Sequence, residues 1–292
     1  LKQGITDDRY GMTIVHNAGI TDLLKARDGE RTRRDRGFAV DKQTLSDLNL
    51  LGKFKENSIF NLFNRTSTRG GEQFLEYLFE HPLTDAERIN KRGGVFEFFR
   101  EKNAVFPFTK ELLGRVERYL GMKGYANRWV VRLNTYCLKL VRHAAKEKVY
   151  EMICSGLADA IELLNACYDF NTLLSEEGAN SAYADVINET FEILDNERLR
   201  PIRGERGERK FSVAKVARYD YVLRHLCRKE LGRLLEMIYH ADVYVAVADV
   251  AREKGFVRAV AHAGEEGKNV IDITGVYHPQ LPGSVGNSLR ID

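Results

Sequence analysis

Between Pro107 and Pro201 no proline interrupts the chain, and apolar residues recur there at three- and four-residue steps. Trp129, Leu133, Tyr136, Cys137, Leu140 and Ala144 form one run, and Ile153, Leu157, Ala160, Ile161, Leu164 and Tyr168 form the next. That spacing draws an apolar stripe on α-helices rather than the alternation of a strand. Gly156 costs a helix roughly 1 kcal/mol relative to alanine, so a bend is expected there. Further helices are predicted from Tyr183 to about Glu197 and from Ser212 to about Lys254, the last unusually long for a globular helix. Upstream, Phe74, Leu75 and Leu78 share a helical face, and His81 before Pro82 ends that helix because the residue preceding proline avoids αR. Thr66 and Thr68 are candidate caps, with Gly70 and Gly71 allowing close backbone approach. Thr84 is the expected cap of the next helix, with Glu87 completing a capping box. After Gly255 the pattern shortens to Val270, Ile271, Asp272 and Ile273. The chain therefore reads as mainly α, with a short strand-containing tail from about Phe256.

Composition bounds this picture. With 292 residues, 43% hydrophobic and 30% charged, the chain can bury an adequate core as one large or two modest domains. No apolar run is long enough to span a bilayer and no signal-peptide pattern opens the chain. Cys137, Cys154, Cys167 and Cys227 are widely separated with no Cys-x-x-Cys pair, so reduced thiols in a cytoplasmic protein are expected. The expected organisation is a polar linker or arm over 1–40, a helical domain over 41–254 and a strand-containing piece over 255–292. In the arm, Arg31, Arg33, Arg34 and Arg36 mix with Asp28, Glu30 and Asp35 without sustained periodicity, which suits a solvated linker.

Charge is concentrated elsewhere. From Arg198 to Arg233, twelve basic residues face four acidic ones, a net of +8 against +3 for the whole chain, so the remainder is net acidic. Arg203, Arg206, Arg209 and Lys210 lie in a stretch punctuated by Gly204 and Gly207, where their heads can reach outward. Arginine supplies a forked donor for phosphate oxygens, so these four are candidate phosphate contacts. A solvated connection between helices has the same composition, and both readings stand. The seven histidines are scattered. His143/Glu147 and Glu236/His240 have helical spacing but lack the further ligands a metal needs. Asp220 and Asp242 sit in apolar helical stretches, where a buried carboxylate capping a neighbouring helix is expected rather than a general base. No catalytic constellation emerges.

Order along the chain adds a resemblance. Asp41-Lys42-Gln43-Thr44, then Asn64-Arg65-Thr66-Ser67-Thr68-Arg69-Gly70-Gly71, then Pro82-Leu83-Thr84-Asp85 resembles the opening of the MutS core domain. Asp242, Val243, Ala246, Ala248 and Ala251 resemble the small-residue helix that ends the MutS lever. Gly275-Val276-Tyr277-His278-Pro279 looks like the entry strand of that family's nucleotide-binding domain. Between about 101 and 230 only helical pattern is present. The resemblance implies a core-and-lever region that couples an ATPase to DNA, with ATP and Mg expected for the full-length protein and a homodimer as its assembly.

Departures from the family sharpen these expectations. No Gly-x-x-x-x-Gly-Lys-Ser/Thr loop occurs, so no cofactor is expected to be held by this chain. The chain opens on Leu1 and reads as a piece of a longer protein cut before its ATPase. The segment before Asp41 is too short for the family's mismatch-reading domain. Only about fifteen residues separate Glu197 from Ser212, where the family inserts its DNA clamp, so a truncated remnant is expected there. The alternative is a helical scaffold or adaptor that binds a protein. A phosphate-binding loop encoded beyond Asp292 would separate the two.

Overall fold

The computed structural model describes residues 49–51, 58–122, 128–140, 144–176, 178, 180–263, 270–280 and 283–291. The Asp41–Leu45 element and the arginines of the arm lie outside them. Helices come first: α1 (Ile59–Phe63), α2 (Arg69–Glu80), α3 (Ala86–Lys102), α4 (Lys110–Gly121), α5 (Arg128–Leu140), α6 (Ala144–Ser175), α7 (Ala184–Leu194), α8 (Arg200–Arg203), α9 (Val213–Tyr221) and α10 (Arg228–Lys254). The antiparallel hairpin of β1 (Ile271–Val276) and β2 (Asn287–Ile291) follows. The mainly α class with a short strand tail is what the periodicity predicts.

Two long helices organise the packing. α6 has 32 residues and α10 has 27, about 48 and 40 Å at 1.5 Å per residue. α10 is buried or half-buried from Leu231 to Val250 because it runs through three hydrophobic clusters. Leu231, Leu234, Leu235 and Ile238 pack with Val116, Leu157, Leu164 and Leu223. Ala241, Val245 and Ala248 pack with Phe98, Phe99 and Tyr183. Val243 meets Phe60 and Leu75. Ala241 and Ala248 of α10 face α3, and α2 approaches through Gly70 and Gly71, where a Cβ would lie 2.5 Å from the Tyr239 ring and 2.4 Å from Asp242.

Several sequence expectations are corrected. The long helix from Ser212 is not continuous: a π-helical turn at Val222–Leu226 separates α9 from α10, with the Cys227 N–H donating to the Val222 carbonyl at 2.8 Å. Such one-turn bulges are wider than the α ladder. Here the turn carries buried Arg224, whose Nε donates to Asp220 at 2.6 Å and whose Nη1 donates to the Met122 carbonyl at 3.1 Å. Asp220 is therefore an ion-pair partner, not a helix cap. Gly156 provides room: a Cβ there would lie 2.5 Å from the Tyr119 ring, so glycine lets α4 close on α6. The cap of α3 is Asp85, whose carboxylate accepts from the Arg88 N–H at 2.8 Å, one residue beyond Thr84. α7 ends at Leu194 instead of Glu197.

Beyond Gly255, which ends α10 at φ +70°, the chain returns along α3. Asn90 bridges both polar groups of Ala261, donating to its carbonyl at 2.7 Å and accepting from its N–H at 2.9 Å. A side-chain amide thus stands in for a strand partner. Among the described residues no helix is long and apolar enough to cross a membrane.

Candidate nucleic-acid interface

The basic segment leaves α8, turns at Gly207 (φ +81°) and reaches Ser212, whose hydroxyl accepts from the Lys215 N–H at 3.3 Å to cap α9. Its path is dictated by one stripe of α6. Glu162, Asn165 and Asp169 recur at i, i+3 and i+7, which places them on one helical face. Asn165 donates to the Arg203 carbonyl at 3.0 Å, holding the segment against the helix. Arg203 donates to Asp195 at 2.8 Å and lies 3.7 Å over the Tyr168 ring. Arg206 forks onto Asp169 at 3.0 and 2.6 Å. Arg209 reaches Glu162 at 3.3 Å. Lys210 is exposed, with no side-chain partner among the described residues.

The structure thus brings all four candidates into one segment but gives them different surroundings. The Arg203 side chain is 17% exposed, against 64% for Arg206 and 72% for Arg209. The Asp169 hydrogen bond raises the Arg206 pKa above its ordinary value. Nearby, Lys215 and then the Tyr219 hydroxyl hold the Glu205 carboxyl below the usual range. The partners Glu162, Asp169 and Asp195 were not singled out from sequence. Their signal was the i, i+7 carboxylate spacing on a helix and the acidic balance of the rest of the chain.

A second polar centre ties the family-like segments together. Asp242, mid-way along α10, accepts from the Ser67 N–H at 2.9 Å, the Thr68 N–H at 2.8 Å and the Thr68 hydroxyl at 2.6 Å. That hydroxyl in turn accepts from the Gly71 N–H at 2.9 Å as the cap of α2. Asp242 therefore secures a neighbouring helix start, as expected of a buried carboxylate. Burial raises its pKa, and the Thr68 and Ser67 donors oppose that rise. Thr66 does not cap; its hydroxyl donates to Asn64 at 2.7 Å.

Among the described residues the remaining candidates make no site; His143 lies outside them. His240 stacks on Phe74 with ring centres 3.7 Å apart, and its Nε2 is 3.9 Å from Glu236. Among the described residues no cluster of histidine, cysteine or carboxylate side chains has the makings of a metal site. Cys167 and Cys227 are buried free thiols, Cys154 is half-buried and free, and Cys137 is free on the surface. His278 accepts the Gln280 N–H at 3.3 Å through its own Nδ1, a turn contact at the end of β1.

The fold defines a helical bundle built on two long struts with a hairpin appended. Residues 43–252 match the sequence model of MutS domain III, and the chain belongs to the MutS family. It is similar to the DNA mismatch repair protein MutS of Thermotoga neapolitana, at 28% identity over 97 residues, 33% of this chain and 12% of the relative. Against the DNA mismatch repair protein MutS of Fervidobacterium nodosum it is 23% identical over 208 residues, 70% of this chain and 21% of the relative. The matches thus cover about an eighth and about a fifth of these relatives' lengths. No solved structure matches the chain.

Proposed function

We propose that the chain is the core and lever region of a MutS-like mismatch-repair or DNA-processing ATPase, transmitting the state of an ATPase to duplex DNA. The observation that carries this is the domain III match over residues 43–252, which includes α6 and all but the last two residues of α10. A helix with no exposed residue from Leu231 to Val250, held at Asp242, would move as a rigid body, which suits a lever. Residues 41–254 would form that unit, in a cytoplasmic protein that acts as a homodimer. ATP and Mg belong to the longer protein in this reading. No residue here is proposed to hold a nucleotide, because the sequence has no phosphate-binding loop and His278 Nδ1 accepts the Gln280 N–H in a turn.

Duplex DNA would be held through its phosphates by Arg203, Arg206, Arg209 and Lys210, without preference for a mismatch, because phosphate contacts carry no sequence information. Each phosphate contact contributes about 0.9 to the slope of log affinity against log salt. Replacing the four residues with serine in the whole chain should weaken binding to a duplex and flatten that slope by about 3 to 4. An unchanged slope, with the helical circular dichroism intact, would overturn the DNA reading. It would favour the helical scaffold, which the engagement of three arginines by the protein's own carboxylates already supports.

A further inference from the structure

We propose that the acidic stripe of α6 is an autoinhibitory latch: Glu162 and Asp169 occupy the guanidinium groups of Arg209 and Arg206 that duplex DNA would otherwise engage. The inference rests on the DNA-contact reading above. A carboxylate and a phosphate present the same planar pair of oxygens to an arginine fork, so the two compete for one set of donors. Asp169 takes one hydrogen bond from each of the two Arg206 Nη atoms, at 3.0 and 2.6 Å, leaving the guanidinium its remaining donors only.

The segment is built to let go. Arg206 and Arg209 stay largely exposed while paired, and exposed ion pairs are weak and screened by salt. Gly207 sits at φ +81° with open space around it, so the chain between the two arginines can pivot there. Arg203 is different. Its guanidinium is covered by Tyr168 and held by Asp195, and its carbonyl is tied to Asn165. Arg203 is therefore the fixed member of the four, presenting its partly exposed side chain in place, and Arg206, Arg209 and Lys210 are the part that the latch releases.

The test uses the whole chain and a labelled duplex at low salt. Glu162→Gln with Asp169→Asn opens the latch while keeping side-chain size, and should tighten binding about three- to tenfold. Glu80→Gln with Glu101→Gln removes the same charge from exposed positions in α2 and α3, and should change affinity less than about twofold because distant surface charge is screened. Reactivity of Arg206 toward phenylglyoxal without DNA should also rise in the latch variant. Equal affinities for the latch and control variants, with the four-serine variant still weakened, would overturn the latch and keep the DNA reading. A four-serine variant that binds like the unmodified chain would overturn both.

Discussion

Asp242 and Asp169 are both aspartates on long helices, and each holds a segment far away in sequence. Asp242 lies in the core and takes three donors from Ser67 and Thr68. Asp169 lies at the surface and holds Arg206 by two bonds. The bonds are of similar length, yet water can replace one set and not the other. A buried donor stripped of its acceptor bears its full desolvation penalty, whereas an exposed guanidinium is simply rehydrated. The region around α10 is thus secured by a few buried polar groups, and the region around α6 is covered by many charges that hold it loosely. A lever needs the first kind of joint; a reversible contact needs the second.

The comparison is tested most severely at Arg224, where a charge is buried against another charge. Arg224→Ala should cost about 3 to 5 kcal/mol by urea unfolding, because it leaves the buried Asp220 carboxylate without its counter-ion, with the Tyr119 hydroxyl still donating. Asp220→Leu combined with Arg224→Met should recover most of that loss. A loss below about 1 kcal/mol would mean that water reaches the pair and would break the distinction.

Asp242→Ala comes next, at about 2 to 4 kcal/mol, since it leaves the Thr68 donors buried without an acceptor. A lowered melting temperature is the readout, and proteolysis should then open first near Ser67. Gly156→Ala should cost about 1 to 3 kcal/mol, because its Cβ drives into the Tyr119 ring in a close-packed site. If instead it stabilised the protein, Gly156 would be a simple helix defect rather than the place where α4 meets α6.

The surface should behave oppositely. Arg206→Gln should leave the urea midpoint unchanged while altering salt-dependent DNA binding. The smallest effect is at Glu253, whose carboxyl is held down at about 2, mainly by its hydrogen bond from Arg65 and then from Lys254. A depressed acid contributes stability above its unfolded pKa and loses it as pH falls through the folded one. The small stability gap between the unmodified chain and Glu253→Gln should therefore be constant near neutrality and close between about pH 4.5 and about 2. A gap that persists at pH 2 would place the effect in packing rather than charge.

Much of this architecture was legible in the chain because helical periodicity and caps are local. The apolar stripe of α6, the Thr68 cap, the stop at His81–Pro82 and the small residues of α10 all depend on neighbours within a few positions. The failures share a cause as well. The helix expected to run unbroken from Ser212 is interrupted by the π-helical turn at Val222–Leu226, and the role of Gly156 is set by Tyr119 on another helix rather than by its own propensity.

For the candidate interface, residue types alone placed arginines and a lysine in a glycine-punctuated segment of net positive charge, because charge and backbone permissiveness are properties of the residues themselves. Which of those arginines is sealed under Tyr168, and which lie loosely on Asp169 and Glu162, was decided only when α6 was brought beside the segment. Burial and the choice of ion-pair partner depend on distance through space. Periodicity along the chain determined the helices, and packing between them decided what each charge is worth.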